Sequence, residues 1–164
     1  MSNISLSYQF AQAQIDAGAD TIGIGDAAAS RVSPRVYQKL ILPRQKRLIQ
    51  AVKDLGAFVR LHICGNITHL LPGIAELNID ILDVDYMVDM SAVRQALGEK
   101  VALAGNIDPV SGVLRGTPVA IRATMLKTYH TVGNPYMVTA GCEIPSGTTV
   151  ENLKALCEPI PYRP

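Results

Sequence analysis

The 164-residue chain is 48% hydrophobic and 18% charged, a balance that supports one packed core and excludes a disordered polypeptide. Fifteen Lys and Arg against fourteen Asp and Glu leave a formal net charge of +1, with no basic block to grip nucleic acid or an anionic membrane. The N-terminal stretch lacks a basic region followed by an apolar core, and no apolar run approaches the ~18 residues of a membrane span, so a cytoplasmic protein with small-molecule or protein partners is expected.

Residues 6–17 read as a helix stopped at Gly18, and residues 21–25 as a strand ending at Asp26. Ser33-Pro34 supplies an N-cap and a proline at the first helical position. The helix it opens runs to Leu55, bent or interrupted at Pro43, and stops at Gly56. Residues 58–63 form the next strand, followed by a short helix over 68–77 and a third strand over 81–85. A helix from about Asp89 to Leu97 ends at Gly98, and a fourth strand over 101–104 is closed by Gly105-Asn106-Ile107-Asp108-Pro109. Thr117-Pro118 starts a helix through about Thr131, residues 136–140 give a fifth strand, and residues 149–156 a closing helix.

Five βα units predict an α/β fold with about five parallel strands. Asp26, His62, Cys64, Asp85, Asn106, Asp108, Cys142 and Glu143 all fall at or just beyond carboxyl ends of predicted strands, which in a (β/α)8 barrel meet at one mouth. A full barrel takes ~250 residues, about 200 at the small end, so the whole chain, 1–164, is expected to form a single domain that is part of a TIM barrel.

Chemistry concentrates in Leu61-His62-Ile63-Cys64-Gly65-Asn66 and in Gly141-Cys142-Glu143. His62 and Cys64 are two apart, so on a strand they share a face, and Cys142 adds a further thiol at another strand end. Three protein ligands is the count of a catalytic zinc, which keeps a position open. The plainer alternative is a buried histidine and ordinary core cysteines. Three cysteines cannot all pair internally, in keeping with a reducing compartment.

The His-x-Cys segment, Gly105-Asn106-Ile107-Asp108-Pro109, Ala140-Gly141-Cys142-Glu143-Ile144-Pro145 and Thr149-Val150-Glu151-Asn152-Leu153 together resemble the C-terminal half of the uroporphyrinogen decarboxylase superfamily. Within it, His-x-Cys with a distant Cys resembles the zinc-dependent methylcobamide:coenzyme M methyltransferase branch. The resemblance implies a half barrel whose N-terminal strands are absent, a start in mid-barrel that reads as truncation. It implies zinc on His62, Cys64 and Cys142, and methyl transfer from a corrinoid carried by a partner protein. The acceptor would be a thiol such as coenzyme M, or another acceptor such as tetrahydrofolate. The decarboxylase branch is metal-free and typically shows Gly-His-Gly where Gly141-Cys142-Glu143 stands here.

Asp85 is then expected as a displaceable fourth ligand or a group supporting the ligands, with capping of the next turn as its alternative. Asp83 is expected to point away from it. Glu143 is placed beside the metal or in a solvated loop, and Asp26, Asn106 and Asp108 along the pocket, Asp26 alternatively capping the loop before Ser33. His69 and His130 are given surface or packing roles, and Cys157 that of a buried thiol. Three function classes remain: the corrinoid-dependent methyltransferase, a tetrapyrrole decarboxylase, and a non-catalytic half barrel that assembles with its own copy or with a separate N-terminal half.

Overall fold

A computed structural model describes residues 3–158. In chain order the elements are α1 (Asn3–Asp16), β1 (Thr21–Gly25), α2 (Pro34–Val36), α3 (Leu42–Asp54), β2 (Phe58–Ile63), α4 (Leu71–Ile74), β3 (Ile81–Val84), α5 (Met90–Leu97), β4 (Ala102–Gly105), α6 (Pro118–Val132), β5 (Tyr136–Met137) and α7 (Val150–Cys157). The five strands form one parallel sheet in the order β1-β2-β3-β4-β5. Each strand lies beside its neighbour in sequence, as in an arc of a TIM barrel.

Register and the two-residue period of strands divide the sheet into two faces. Gly25 pairs with His62, His62 with Asp83, and Asp83 with Ala104, so these residues stand abreast on the inner face. The outer face carries Val59, Leu61, Ile63, Leu82, Val84 and Leu103, all fully buried. They pack with Ile49 and Val52 of α3, Ile74 of α4 and Val93 of α5 in one core. A second cluster joins Val113, Ile121, Met125, Ala155 and Leu156 beneath α6 and α7.

Polar side chains tie the layers together. The Asp80 carboxylate receives Lys53 from α3 at 2.7 Å and the Val59 N–H of β2 at 2.7 Å. The Arg94 guanidinium donates to the carbonyls of Gly98, Val101, Val132 and Pro135 at 2.7–2.9 Å, joining the ends of α5 and α6 to the flanks of β4 and β5. Buried Asn152 donates to Val113 O at 2.7 Å and so fastens α7 to the turn ahead of α6.

The predicted elements are present, with changes that have local causes. Ser33 caps α2, accepting from the Val36 N–H at 3.4 Å. The interruption expected near Pro43 is a π turn over Tyr37–Ile41, a widening of the helix just ahead of a residue that has no N–H to donate. The helix expected over 68–77 is a 3-10 turn, Thr68–Leu70, followed by α4. A π turn over Pro109–Leu114 follows β4.

The fifth strand, expected over 136–140, is reduced to Tyr136–Met137. Its partner β4 leaves the extended conformation at Gly105, at φ +115°, so the ladder lapses and resumes only as an isolated bridge between Ile107 and Ala140. No helix among the described residues is long and apolar enough to cross a membrane.

Leu61 is fully buried at the centre of the outer face. Leu61→Ala is expected to lower unfolding stability by about 2–5 kcal/mol in urea denaturation, the range for truncating a core leucine.

Candidate metal centre

The outer-face packing of Leu61 and Ile63 turns the alternate residues of β2 inward, and His62 and Cys64 follow from it. Cys64 lies just past the strand, where the Gly65 N–H donates to Asp85 Oδ2 at 2.6 Å and binds the loop after β2 to the loop after β3. Cys142 arrives from the far side of the arc. The Gly141 N–H donates to Ile107 O at 2.8 Å, continuing the bridge at Ala140. A Cβ at residue 141 would lie 2.5 Å from the Tyr86 backbone N, so only glycine allows this approach.

His62 Nε2 lies 3.2 Å from Cys64 Sγ, and the two Sγ atoms are 3.8 Å apart. The three half-buried side chains each offer a donor atom, all within 4.8 Å of one another. A tetrahedral zinc, with Zn–S ~2.3 Å and Zn–N ~2.0–2.1 Å, separates two sulfurs by about 3.8 Å and a nitrogen and a sulfur by about 3.6 Å. The Cys64–Cys142 and His62–Cys64 spacings match those of a zinc ion to within a few tenths of an ångström, and all three donors are close enough together to share one cation.

Partners around the donors set their orientation and charge. His62 Nδ1 is 3.2 Å from the Asp83 carbonyl oxygen and 3.5 Å from Asp83 Oδ2. These acceptors assign the ring proton to Nδ1 and leave the Nε2 lone pair facing the sulfurs. Asp83 also pairs with Arg60 at 2.5 Å. Burial pushes the Cys64 thiol up from its ordinary pKa, and the hydrogen bond and charge of Cys142 and the charge of Asp85 push the same way. A cation among these groups would reverse that electrostatic penalty.

Asp85 is 4% exposed; its Oδ2 accepts from Gly65, while Oδ1 is buried with no hydrogen-bond partner among the described residues. Its carboxylate does not join the mutual cluster of three donors. Glu143 is exposed on the wall of a cleft of about 530 Å³ that the three donors also line.

Asp26 Oδ1 accepts from the N–H groups of Ala28 and Ala29 at 3.2 and 3.1 Å, and its Oδ2 from Gln45 at 3.0 Å, the capping geometry. Asn106 donates to Val88 O at 2.8 Å. Asp108 caps the turn after β4, accepting from the Val110 and Ser111 N–H groups at 2.8 and 3.1 Å; the Ser111 hydroxyl holds its carboxyl below the ordinary carboxylate range. The two carboxylates and the Asn106 amide N–H are thus engaged in loop structure.

Other expectations change. Asp83 and Asp85 are two apart and so share a face, and Asp83 lines the cleft with His62 instead of pointing away. Cys157 is exposed, on the rim of the same cleft, because α7 turns that side outward. His69 Nε2 donates to Val32 O at 3.0 Å, and His130 lies exposed near Tyr129. Arg60, absent from the sequence-derived candidates, lines the cleft beside Asp83. The signal was the period of two running back along β2 from Cys64 through His62 to Arg60.

Residues 3–160 match the family described as uroporphyrinogen decarboxylase (URO-D). The chain is 36% identical over 154 residues to the methylcobamide:CoM methyltransferase MtbA of Methanosarcina mazei, covering 91% of this chain and 44% of that protein. It is 35% identical over 149 residues to the uroporphyrinogen decarboxylase of Trichodesmium erythraeum, covering 88% and 41%. A solved structure, a methyltransferase from Methanosarcina mazei, superposes with a TM-score of 0.84 at 28% identity, over 93% of this chain and 45% of that one. The chain spans less than half the length of these relatives.

Gly141→Ala should displace the Cys142 loop without touching a donor atom. For a zinc ion held by the three donors, chelator competition is expected to show a loss of affinity of roughly tenfold or more, with the circular dichroism spectrum unchanged.

Proposed function

We propose that this chain, which belongs to the uroporphyrinogen decarboxylase family, carries the thiol-activating part of a zinc-dependent methyltransferase that takes methyl groups from a methylated corrinoid protein. The observation that supports this most is the convergence of His62 Nε2, Cys64 Sγ and Cys142 Sγ from two distant strand ends. Relatives of both names match at nearly the same identity, 36% and 35%, so overall similarity does not choose between methyl transfer and decarboxylation. The site does. A metal-free decarboxylase has no use for two thiols and an imidazole spaced for a tetrahedral cation.

Zinc on these three donors would leave a position for an acceptor thiol, whose ordinary pKa near ~8.5 would fall so that it binds as the nucleophilic thiolate. The chain's own residues prepare that chemistry. Asp83 holds the His62 ring with Nε2 turned to the sulfurs. Two cysteine ligands leave more electron density at the site than histidines would, which suits a soft alkyl transfer. The open cleft in front of the donors gives the acceptor room, and the corrinoid partner would approach from the barrel mouth. In the overall reaction a sulfur–carbon bond forms as the cobalt–carbon bond breaks, the bonding pair stays on cobalt and the thiol proton leaves to solvent. Coenzyme M is one thiol of this kind, and tetrahydrofolate a non-thiol acceptor that the same donors could serve. Asp85, whose Oδ2 accepts from the Gly65 N–H beside Cys64 and whose buried Oδ1 has no partner among the described residues, is the candidate to hold the vacant position before the acceptor arrives.

Metal analysis of the purified protein tests this reading. One zinc per chain is expected, falling below a tenth in Cys142→Ala; a folded protein that takes up no zinc at micromolar concentrations would overturn it.

A further inference from the structure

The two cysteine donors touch each other as well as facing a common position. Cys64 Sγ and Cys142 Sγ lie 3.8 Å apart, in van der Waals contact, and belong to residues 78 apart in sequence. No disulfide ties any of the three cysteines, and this is the one sulfur–sulfur contact among the described residues. Both side chains are half-buried and line the cleft of about 530 Å³, which admits a small oxidant from solvent. Cys157 lines the same cleft and is exposed, yet it makes no sulfur contact among the described residues.

A disulfide has S–S ~2.03–2.05 Å, so from 3.8 Å the sulfurs must close by about 1.8 Å. Cys64 is the fixed side. It follows β2, whose Leu61 and Ile63 are fully buried, and its neighbour Gly65 donates to Asp85. Cys142 is the side that gives, because residues 141–149 belong to no helix or strand and follow the isolated bridge at Ala140. Rotation about its Cα–Cβ bond with a small loop adjustment closes the gap. A cysteine oxidised to a sulfenic acid condenses with a neighbouring thiol where there is one. Cys64 and Cys142 supply that neighbour to each other, and Cys157 lacks one.

We infer that Cys64 and Cys142 are a reversible redox pair, and that a peroxide joins them in a disulfide that dismantles the metal centre. Loss of the centre rests on the zinc reading above, whereas formation of the bond does not. Written for the metal-free thiols, hydrogen peroxide takes one electron from each sulfur. The O–O bond breaks, the S–S bond forms, and the two thiol protons leave in two molecules of water. A sulfur in a disulfide no longer carries the thiolate charge that holds zinc, so His62 is left as the one donor of the three. A dithiol reverses the step by thiol–disulfide exchange, returning two electrons and two protons to the pair.

The test uses the full chain, reduced and freed of metal under argon, treated with one equivalent of hydrogen peroxide and digested without reduction. The expected product is a peptide pair linking Cys64 to Cys142, with free thiols falling from three to one. The bond closes a long loop of 78 residues, so the oxidised chain should also unfold at higher urea concentration than the reduced, metal-free one. Cys157→Ser should leave the link intact, and Cys142→Ser should abolish it. For the metal, the zinc-loaded chain is exposed to peroxide in the presence of a zinc-binding dye. The dye should take up zinc in step with disulfide formation, and dithiothreitol followed by fresh zinc should restore the loaded state. Oxidation that ends in sulfinic acids, or that links Cys157 between chains with no Cys64–Cys142 peptide, overturns the redox pair whether or not zinc binds. A link that forms while zinc stays bound overturns the switch and leaves the zinc reading intact. A reduced chain that forms the link but takes up no zinc at micromolar concentrations overturns the zinc reading, and the switch with it.

Discussion

The alternation of β2 governs this molecule. Val59, Leu61 and Ile63 have no exposure, locked against the helices, and that packing sends Arg60, His62 and Cys64 to the opposite side. A slip of one residue in register would bury the charges and expose the core, so the hydrophobic effect acting on one face fixes the chemistry of the other. The parallel pairing then sets Asp83 beside His62, where its carbonyl and carboxylate orient the ring. The same interaction that stabilises the sheet thus positions the donor.

Cys142 depends on a different constraint. It comes from the loop after a strand only two residues long, and its approach relies on the Ile107–Ala140 bridge and on the absence of a side chain at Gly141. Tyr136, whose burial pushes its phenol up, donates to the Gly105 carbonyl and holds β5 against β4 just below that point. The centre is therefore half rigid strand and half fastened loop. His62 and Cys64 are set by core packing, whereas the third donor is set by a few backbone contacts.

Much of this was legible in the sequence, for identifiable reasons. Strands 1 to 4 are short apolar runs closed by glycine or aspartate, and Ser33, Asp89, Thr117 and Thr149 all act as helix caps where a side-chain oxygen precedes a helical run. The convergence of His62, Cys64 and Cys142 followed from placing all three at strand ends. What escaped was tertiary. The shortening of β5 depends on where β4 stops being extended, which residues 136–140 do not encode. Asp26, Asn106 and Asp108 look alike as polar residues at strand ends, yet nearby N–H and carbonyl groups that only the folded loops bring together engage each of them. The period of two already contains the inward direction of Asp83, whereas the exposure of Cys157 depends on how α7 packs, which residue type alone does not encode.

Three donors that hold a zinc ion leave one position for an acceptor sulfur. Zinc-edge X-ray absorption with and without a candidate thiol measures that directly. The expected result is a site with two sulfurs and lighter ligands that gains a third sulfur near ~2.3 Å when thiol is added. An unchanged sulfur count at saturating concentrations of both anionic and neutral thiols would contradict it.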